Sequence, residues 1–341
     1  MPTRIGIMGF GRIGRNVFRI LHEQRGDVEV AAIVDIAEPA ALEYLLKFDT
    51  VHGRFSEPVE VQAGSMYVRG RQIRMLQRKA PADVDWAALG VDIVIESTGQ
   101  YRTRKALAGH LDRGAKRVIL TVPPRDEIDA LVVMGVNDEV VTPETRIISN
   151  ASCTANALAP ICKVLHDAIG IERGLLTIVH AYTNDQRLAD VPHDELRRSR
   201  AAAENIIPTG TWSPQAVGRI VPDLAGKLDG MAICVPVPDG SCVDLVTLMR
   251  RDVEPAEVNA LIRSAAATTF RNVIEYTEEP IVSSDVIGNT HSAVFDGLST
   301  QVLGGNMLKT ITWYDNGWGY ASRVVELIRR LAAFERPAEV A

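Results

Sequence analysis

Residues 4–15 read RIGIMGFGRIGR: an apolar run, Ile5 to Met8, that breaks into three spaced glycines and resumes as an amphipathic stretch. The run is short and apolar enough for a buried strand, and RIGRNVFRILHEQ after it has a helical pattern. Gly9, Gly11 and Gly14 fit GxGxxG. Alone that pattern is weak, because glycine turns are common. Between a strand and a helix it marks a dinucleotide-binding turn, in which glycines let the backbone approach a pyrophosphate seated on the helix N-terminus. Asp35 ends the next apolar run, DVEVAAIVDI, 21 residues after Gly14. That is the place for a carboxylate on a ribose 2′-hydroxyl. Its charge repels a 2′-phosphate, so NAD is expected over NADP.

Outward from this turn, VDIVIEST, KRVILTV and ETRIISN read as further short buried strands. The alternation of strands and helices predicts an α/β Rossmann domain, a mostly parallel sheet with helices on both faces. After Cys153 the texture changes to longer strand-like runs, GLLTIVHAY, GMAICVPVP, SCVDLVTLMRR and NMLKTITWYD, with one clear helix at EPAEVNALIRSAAATTF. This predicts an α+β second domain on a largely antiparallel sheet. YASRVVELIRRLAAF is helical by period, and no tail longer than ERPAEVA follows it. The 341 residues, 46% of them hydrophobic, suffice for two cores. A net charge of −6 gives no general pull toward nucleic acid or anionic membrane. No apolar stretch approaches the ~18 residues of a membrane span, and the N-terminus lacks a signal-peptide cleavage region, so a cytoplasmic protein is expected. Cys153, Cys162, Cys234 and Cys242 show no CxxC pairing and no metal-ligand spacing with the seven histidines. Neither a disulfide framework nor a metal site is expected.

Cys153 stands in NASCTANAL, just ahead of apolar residues at Leu158, Ile161, Val164, Leu165 and Ile169 that share one helical face. A free cysteine is usually core filler. At a helix's first turn, however, unpaired N–H groups and the positive end of the dipole favour the thiolate, the nucleophilic form. Such a thiol needs a second group to manage protons.

Taken together, Gly9 to Gly14, NASCTANALAP, HAYTNDQ, LRRSRAAAENIIPT and WYDNGWGY resemble the glyceraldehyde-3-phosphate dehydrogenase family, from about Arg4 to about Leu331. The resemblance implies an NAD-binding domain over 1–152, a catalytic domain over 153–316, a C-terminal helix 317–334 packing back on the first domain, and a homotetramer. It implies NAD-dependent oxidation of a phosphorylated aldehyde, D-glyceraldehyde 3-phosphate by default, through a thiohemiacetal and a thioester on Cys153. His180 matches the base and Asn316 the residue that orients the nicotinamide amide. Arg12 and Ile13 match pyrophosphate contacts, Thr98 and Thr121 lie where the family lines the cofactor cleft, and Pro192 matches a position tied to NAD preference. Thr183 and Asp185 match the pocket for the substrate's phosphate. Ser152, Thr154, Arg198 and Thr211 match the pocket for attacking inorganic phosphate.

Four positions depart from the family pattern. Cys234 replaces an arginine that grips phosphate, and Trp212 takes the glycine position of the TGAAKA-like turn, where its ring either covers the phosphate pocket or swings outward. Met8 replaces an asparagine beside the cofactor loop and Gly317 the glutamate after Asn316. Cys234 and Trp212 motivate an alternative: a paralogue acting on another phosphorylated or phosphonylated aldehyde, as in the erythrose-4-phosphate branch, with the thioester released by water. A third reading, a non-catalytic NAD- or RNA-binding protein, is opposed by Cys153, His180, Asn316 and the acidic balance.

Overall fold

In the computed structural model, residues 2–24 and 26–334 are described; ERPAEVA lies outside them. The chain divides into two compact units. One takes the residues up to Val132, Asp138–Ala151 and those from Ala321 on; the other takes Val133–Asn137 and Ser152–Tyr320.

The first unit holds a nine-stranded sheet. In space its order is Ala130–Leu131, Ile147–Ser149, Arg117–Leu120, Ile93–Glu96, Thr3–Met8, Val28–Asp35, Arg71–Gln77, Ser65–Val68, Val59–Gln62. From Ala130–Leu131 through Arg71–Gln77 every neighbouring pair is parallel. These strands are apolar on both sides: Ile5, Ile7, Ile33, Ile93, Val94, Ile95, Val118 and Ile119 are all buried, as a sheet covered on both faces demands. The antiparallel end, Val59 to Gln77, is absent from the sequence reading. Its two turns explain why. Ala63–Gly64 and Arg69–Gly70 both have φ between +49° and +74°, the two-residue hairpin geometry, but Ala and Arg replace the Asn or Asp that usually announces it.

The second unit is built on a seven-stranded sheet in the order Ile207–Thr209, Leu228–Val235, Ile171–Ala181, Ser241–Met249, Met307–Tyr314, Ala293–Leu303, Ile274–Thr277. Two of its pairings are parallel and four antiparallel. The helix Cys153–Ala168 buries Ala155, Ala157, Leu158, Ile161 and Leu165 within this unit. Val133–Asn137 departs from the expected boundary because Gly135 packs tightly on Phe270 and Val273; a Cβ on Gly135 would stand 3.0 Å from Val273 Cγ2.

The last helix, Trp318–Phe334, starts on a cap in which Asp315 Oδ1 accepts from the backbone N–H of Gly317 at 2.7 Å. From Ala321 on it groups with the first unit, where Arg330 pairs with Asp138 at 2.6 Å and Arg117 lies over the Phe334 ring. Among the described residues no helix is long and apolar enough to cross a membrane.

Candidate active site

Ser152 is the N-cap of the helix Cys153–Ala168: its backbone is extended and its Oγ accepts from Ala155 N–H at 3.1 Å. That cap places Cys153 at the first helical position. Cys153 Sγ stands 3.5 Å from His180 Nε2, on the strand Ile171–Ala181. His180 Nδ1 lies 2.6 Å from the Ala181 carbonyl. A carbonyl only accepts, so Nδ1 carries the proton and Nε2 turns its lone pair to the sulfur. The His180 ring meets Tyr314 edge-on, and Tyr314 Oη shares a hydrogen bond of 2.8 Å with Thr154 Oγ1. Thiol, imidazole and phenol thereby form one ordered group.

The ionisation of Cys153 departs from the dipole argument. Burial pushes the thiol up to about 11, against hydrogen bonds from Thr154 and the backbone that favour the anion. The helix terminus acts in the expected direction, and desolvation outweighs it. The surroundings of Cys153 thus favour the thiol, with His180 Nε2 3.5 Å from its sulfur.

Beside this pair lies a charged cluster. Arg198 Nη1 bonds Asp185, whose other oxygen takes the Thr183 hydroxyl, and Arg198 Nε reaches Thr209 Oγ1 at 3.1 Å and Glu195 Oε2 at 3.3 Å. Burial raises the Asp185 carboxyl, but the Thr183 hydroxyl and the Arg198 charge overcome it and hold it below the usual carboxylate range. Thr183, Asp185 and Arg198, separate in sequence, are thus brought together. Thr211 instead serves its own turn: its Oγ1 accepts from Ser213 N–H at 3.2 Å and bonds Ser213 Oγ. Glu195 and Thr209 were missed by the sequence reading, since nothing in DELRRS marks one acid as a partner of Arg198.

In the first unit the three glycines have three different reasons. A Cβ on Gly9, at φ +89°, would stand 2.6 Å from Thr98 N. One on Gly14 would stand 2.3 Å from Gly9 O, whereas at Gly11 nothing lies within 4 Å. Gly9 and Gly14 close the turn on itself, and Gly11, followed by Arg12 and Ile13 at the start of the helix, faces open space. Asp35 Oδ2 accepts from Phe10 N–H at 2.7 Å and Oδ1 from Ala37 N–H at 3.0 Å, which fixes its carboxylate beside the turn. Thr98 and Thr121 both bond Glu96, at the end of Ile93–Glu96. Asn316, in the second unit, is buried, with Oδ1 accepting from Ser241 Oγ at 2.9 Å. That commits its carboxamide oxygen and leaves its amino group as the donor on offer.

Residues 3–104 match the family model for the glyceraldehyde 3-phosphate dehydrogenase NAD binding domain, and residues 152–316 the one for the C-terminal domain. The chain is 50% identical over 335 residues to glyceraldehyde-3-phosphate dehydrogenase of Borreliella burgdorferi, spanning 96% of this chain and 99% of that protein. It is 48% identical over 334 residues to the enzyme of that name from Geobacillus stearothermophilus, spanning 98% and 99%. The chain belongs to the glyceraldehyde-3-phosphate dehydrogenase family. The match to the NAD binding domain makes NAD its cofactor.

Against that family pattern, the departures take definite places. Cys234 is in register with His180 on the parallel neighbour strand and with Ile207 on the other side. In-register neighbours point to the same face of a sheet, so Cys234 stands next to the imidazole. Burial raises its thiol, and the Arg198 charge acts on it in the opposite sense. The positive charge that acts on this residue is that of Arg198, already paired with Asp185 and Glu195. Arg200 is paired with Asp190 instead. Trp212 swings along its own helix, Ser213–Ile220, where the Arg219 guanidinium lies 5.4 Å over its ring. Met8 is buried and acts through its carbonyl, which accepts from Ser97 N–H at 2.8 Å. Gly317 contributes its N–H to the Asp315 cap.

Proposed function

We propose that this chain oxidises a phosphorylated aldehyde, D-glyceraldehyde 3-phosphate by default, in an NAD-dependent reaction through a thiohemiacetal and a thioester on Cys153. The observation that carries the reading is the 3.5 Å approach of Cys153 Sγ to a His180 Nε2 whose partner nitrogen is held on Ala181 O. His180 Nε2 takes the thiol proton, and the thiolate adds to the aldehyde carbon. The backbone N–H of Cys153, at the helix N-terminus, donates to the oxygen that becomes negative. The protonated imidazole stays beside that oxygen. When bound, NAD supplies the acceptor for the hydride that leaves the sulfur-linked carbon. Gly9, Gly11, Arg12, Ile13 and Gly14 hold its pyrophosphate, Asp35 its ribose, Thr98 and Thr121 line its cleft, and the Asn316 amino group orients its carboxamide.

Thr183 and Asp185 take the substrate's phosphate. Ser152, Thr154, Arg198 and Thr211 take the inorganic phosphate that opens the thioester. The names of the relatives support this substrate over the alternative aldehydes. The protein acts as a homotetramer in the cytoplasm. Cys153→Ser tests the reading: aldehyde-dependent NADH formation should disappear while NAD binding, followed by calorimetry, is kept. Near-normal turnover of that variant would exclude the covalent route.

A further inference from the structure

Glu96 belongs to none of the groups assigned above, yet it touches two of the residues read as lining the cofactor cleft. Its Oε1 accepts from Thr98 N–H at 2.9 Å and from the Thr98 hydroxyl. Its main-chain oxygen accepts from Thr121 N–H at 3.1 Å and Thr121 Oγ1 at 3.2 Å. Between Glu96 and Thr98, Ser97 Oγ donates to Gly9 O at 2.6 Å, and Gly9 has no room for a Cβ against Thr98 N. The turn after Glu96 is therefore the backing on which the glycine loop rests.

Behind Glu96 the network continues into the core. Its Oε2 lies 3.1 Å from His110 Nε2, and His110 Nδ1 lies 3.0 Å from Trp86 Nε1. All three side chains are fully buried. An indole N–H can only donate, so His110 Nδ1 must be the acceptor and Nε2 must carry the ring's one proton. Trp86 thus fixes the tautomer of His110, His110 donates to Glu96, and both carboxylate oxygens are committed as acceptors. From the core the donors run Trp86 to His110 to Glu96, and from the loop Thr98 donates to the same carboxylate, so all of these bonds converge on Glu96.

We propose that Glu96 is a positioning residue for the cofactor, held by the Trp86–His110 relay so that Thr98 and Thr121 keep their places beside the glycine loop. The proposal rests on the reading of Thr98 and Thr121 as cleft residues. It makes a directional claim that simple core packing does not. Glu96→Gln keeps shape and volume but replaces one acceptor by a donor, which must face either His110 Nε2–H or Thr98 N–H. His110 cannot answer by moving its proton to Nδ1, because the Trp86 N–H is there. Trp86→Phe removes that block, so His110 Nε2 can accept from the new carboxamide and its oxygen can return to Thr98.

The experiment is a double-mutant cycle read as NAD dissociation constants of the ligand-free protein, with KM for NAD and kcat beside them. Glu96→Gln alone should weaken NAD binding about tenfold, the scale of one reversed buried hydrogen bond, with kcat at saturating NAD nearly unchanged. In the Trp86→Phe background the same substitution should cost less than about threefold. Equal costs in both backgrounds would overturn the proposal. Trp86 packs on Gly6, where a Cβ would stand 2.4 Å from the indole, so Trp86→Phe leaves a cavity and is itself destabilising. Should it melt below the assay temperature, ring nitrogen shifts of His110 in the unmodified protein decide: Nε2–H supports the relay and Nδ1–H refutes it. Gly11→Val separates the two levels of argument. If it abolishes NAD binding while Glu96→Gln does nothing, the relay alone is wrong. If it leaves NAD binding intact, the cofactor reading falls and the relay with it.

Discussion

Replacing His180 by asparagine should leave Cys153 with a thiol that hardly ionises at neutral pH. The number follows from the surroundings of the sulfur. Burial sets the thiol at about 11, with the helix-terminal hydrogen bonds already included. At pH 7.5 a group of that acidity is about one part in 3,000 thiolate. Because the value is raised, the thiolate is lost as pH falls and gained as pH rises. In the His180→Asn variant, alkylation of Cys153 by iodoacetamide should therefore climb about tenfold per pH unit from 7 to 10 without a plateau. With His180 present, the proton has a place to go 3.5 Å away, and the rate should level off near neutral pH at a value about 10² to 10⁴ above the variant. Peptide mapping confines the reading to Cys153, since Cys162, Cys234 and Cys242 are buried. Equal rates for the two proteins at pH 7.5 would refute the argument, because the helix terminus alone would then be ionising the thiol.

Cys234→Arg should lower KM for the phosphorylated aldehyde by up to one or two powers of ten, the worth of one charge-assisted pair, with a smaller change in kcat; an unchanged KM would mean that Arg198 already does that work. Asp35→Ala should shrink the preference for NAD over NADP about tenfold, the scale of one charge repulsion, as judged by kcat/KM for each; a constant ratio would count against the ribose reading of this carboxylate. Mild peroxide should not join Cys153 to Cys162: both lie on one helix, nine residues or about 13 Å apart, beyond disulfide reach, and a bridged peptide would contradict the helix.

The parts of this molecule that are legible in the sequence are those set by local spacing. GFGRIG between a strand and a helix, Asp35 at the next strand's end and Cys153 in the first turn ahead of an apolar face each depend on residues a few positions apart, and each is found where its spacing puts it. What sequence hides is set by contacts across the fold. The dipole argument for Cys153 has the right sign and loses to desolvation, which only the packed sulfur reveals. Arg198 reads as a basic residue of a phosphate pocket, and its pairing with Asp185, 13 residues back, and with Glu195 shows only in the fold. Trp212 reads only as a bulky replacement in its turn, and its contact with the Arg219 guanidinium, two helical turns on, shows only in the fold. Glu96 and His110 look like a strand end and a helix residue, and only Trp86 beneath them gives the pair a direction.

The division of the chain also sets an order of assembly during synthesis. The first unit begins at the N-terminus, but its last piece, from Ala321 on, is made only after the whole of the second unit. That piece brings Val324, Leu327, Ile328 and Leu331, all fully buried in the finished protein, and the Arg330 partner of Asp138. At a ribosomal pace of about 5 to 20 residues per second, roughly 10 to 30 seconds separate Ala151 from Ala321. For that interval the nascent nucleotide-binding unit is without its final helix, and a chaperone that shields apolar surface has its longest opening there.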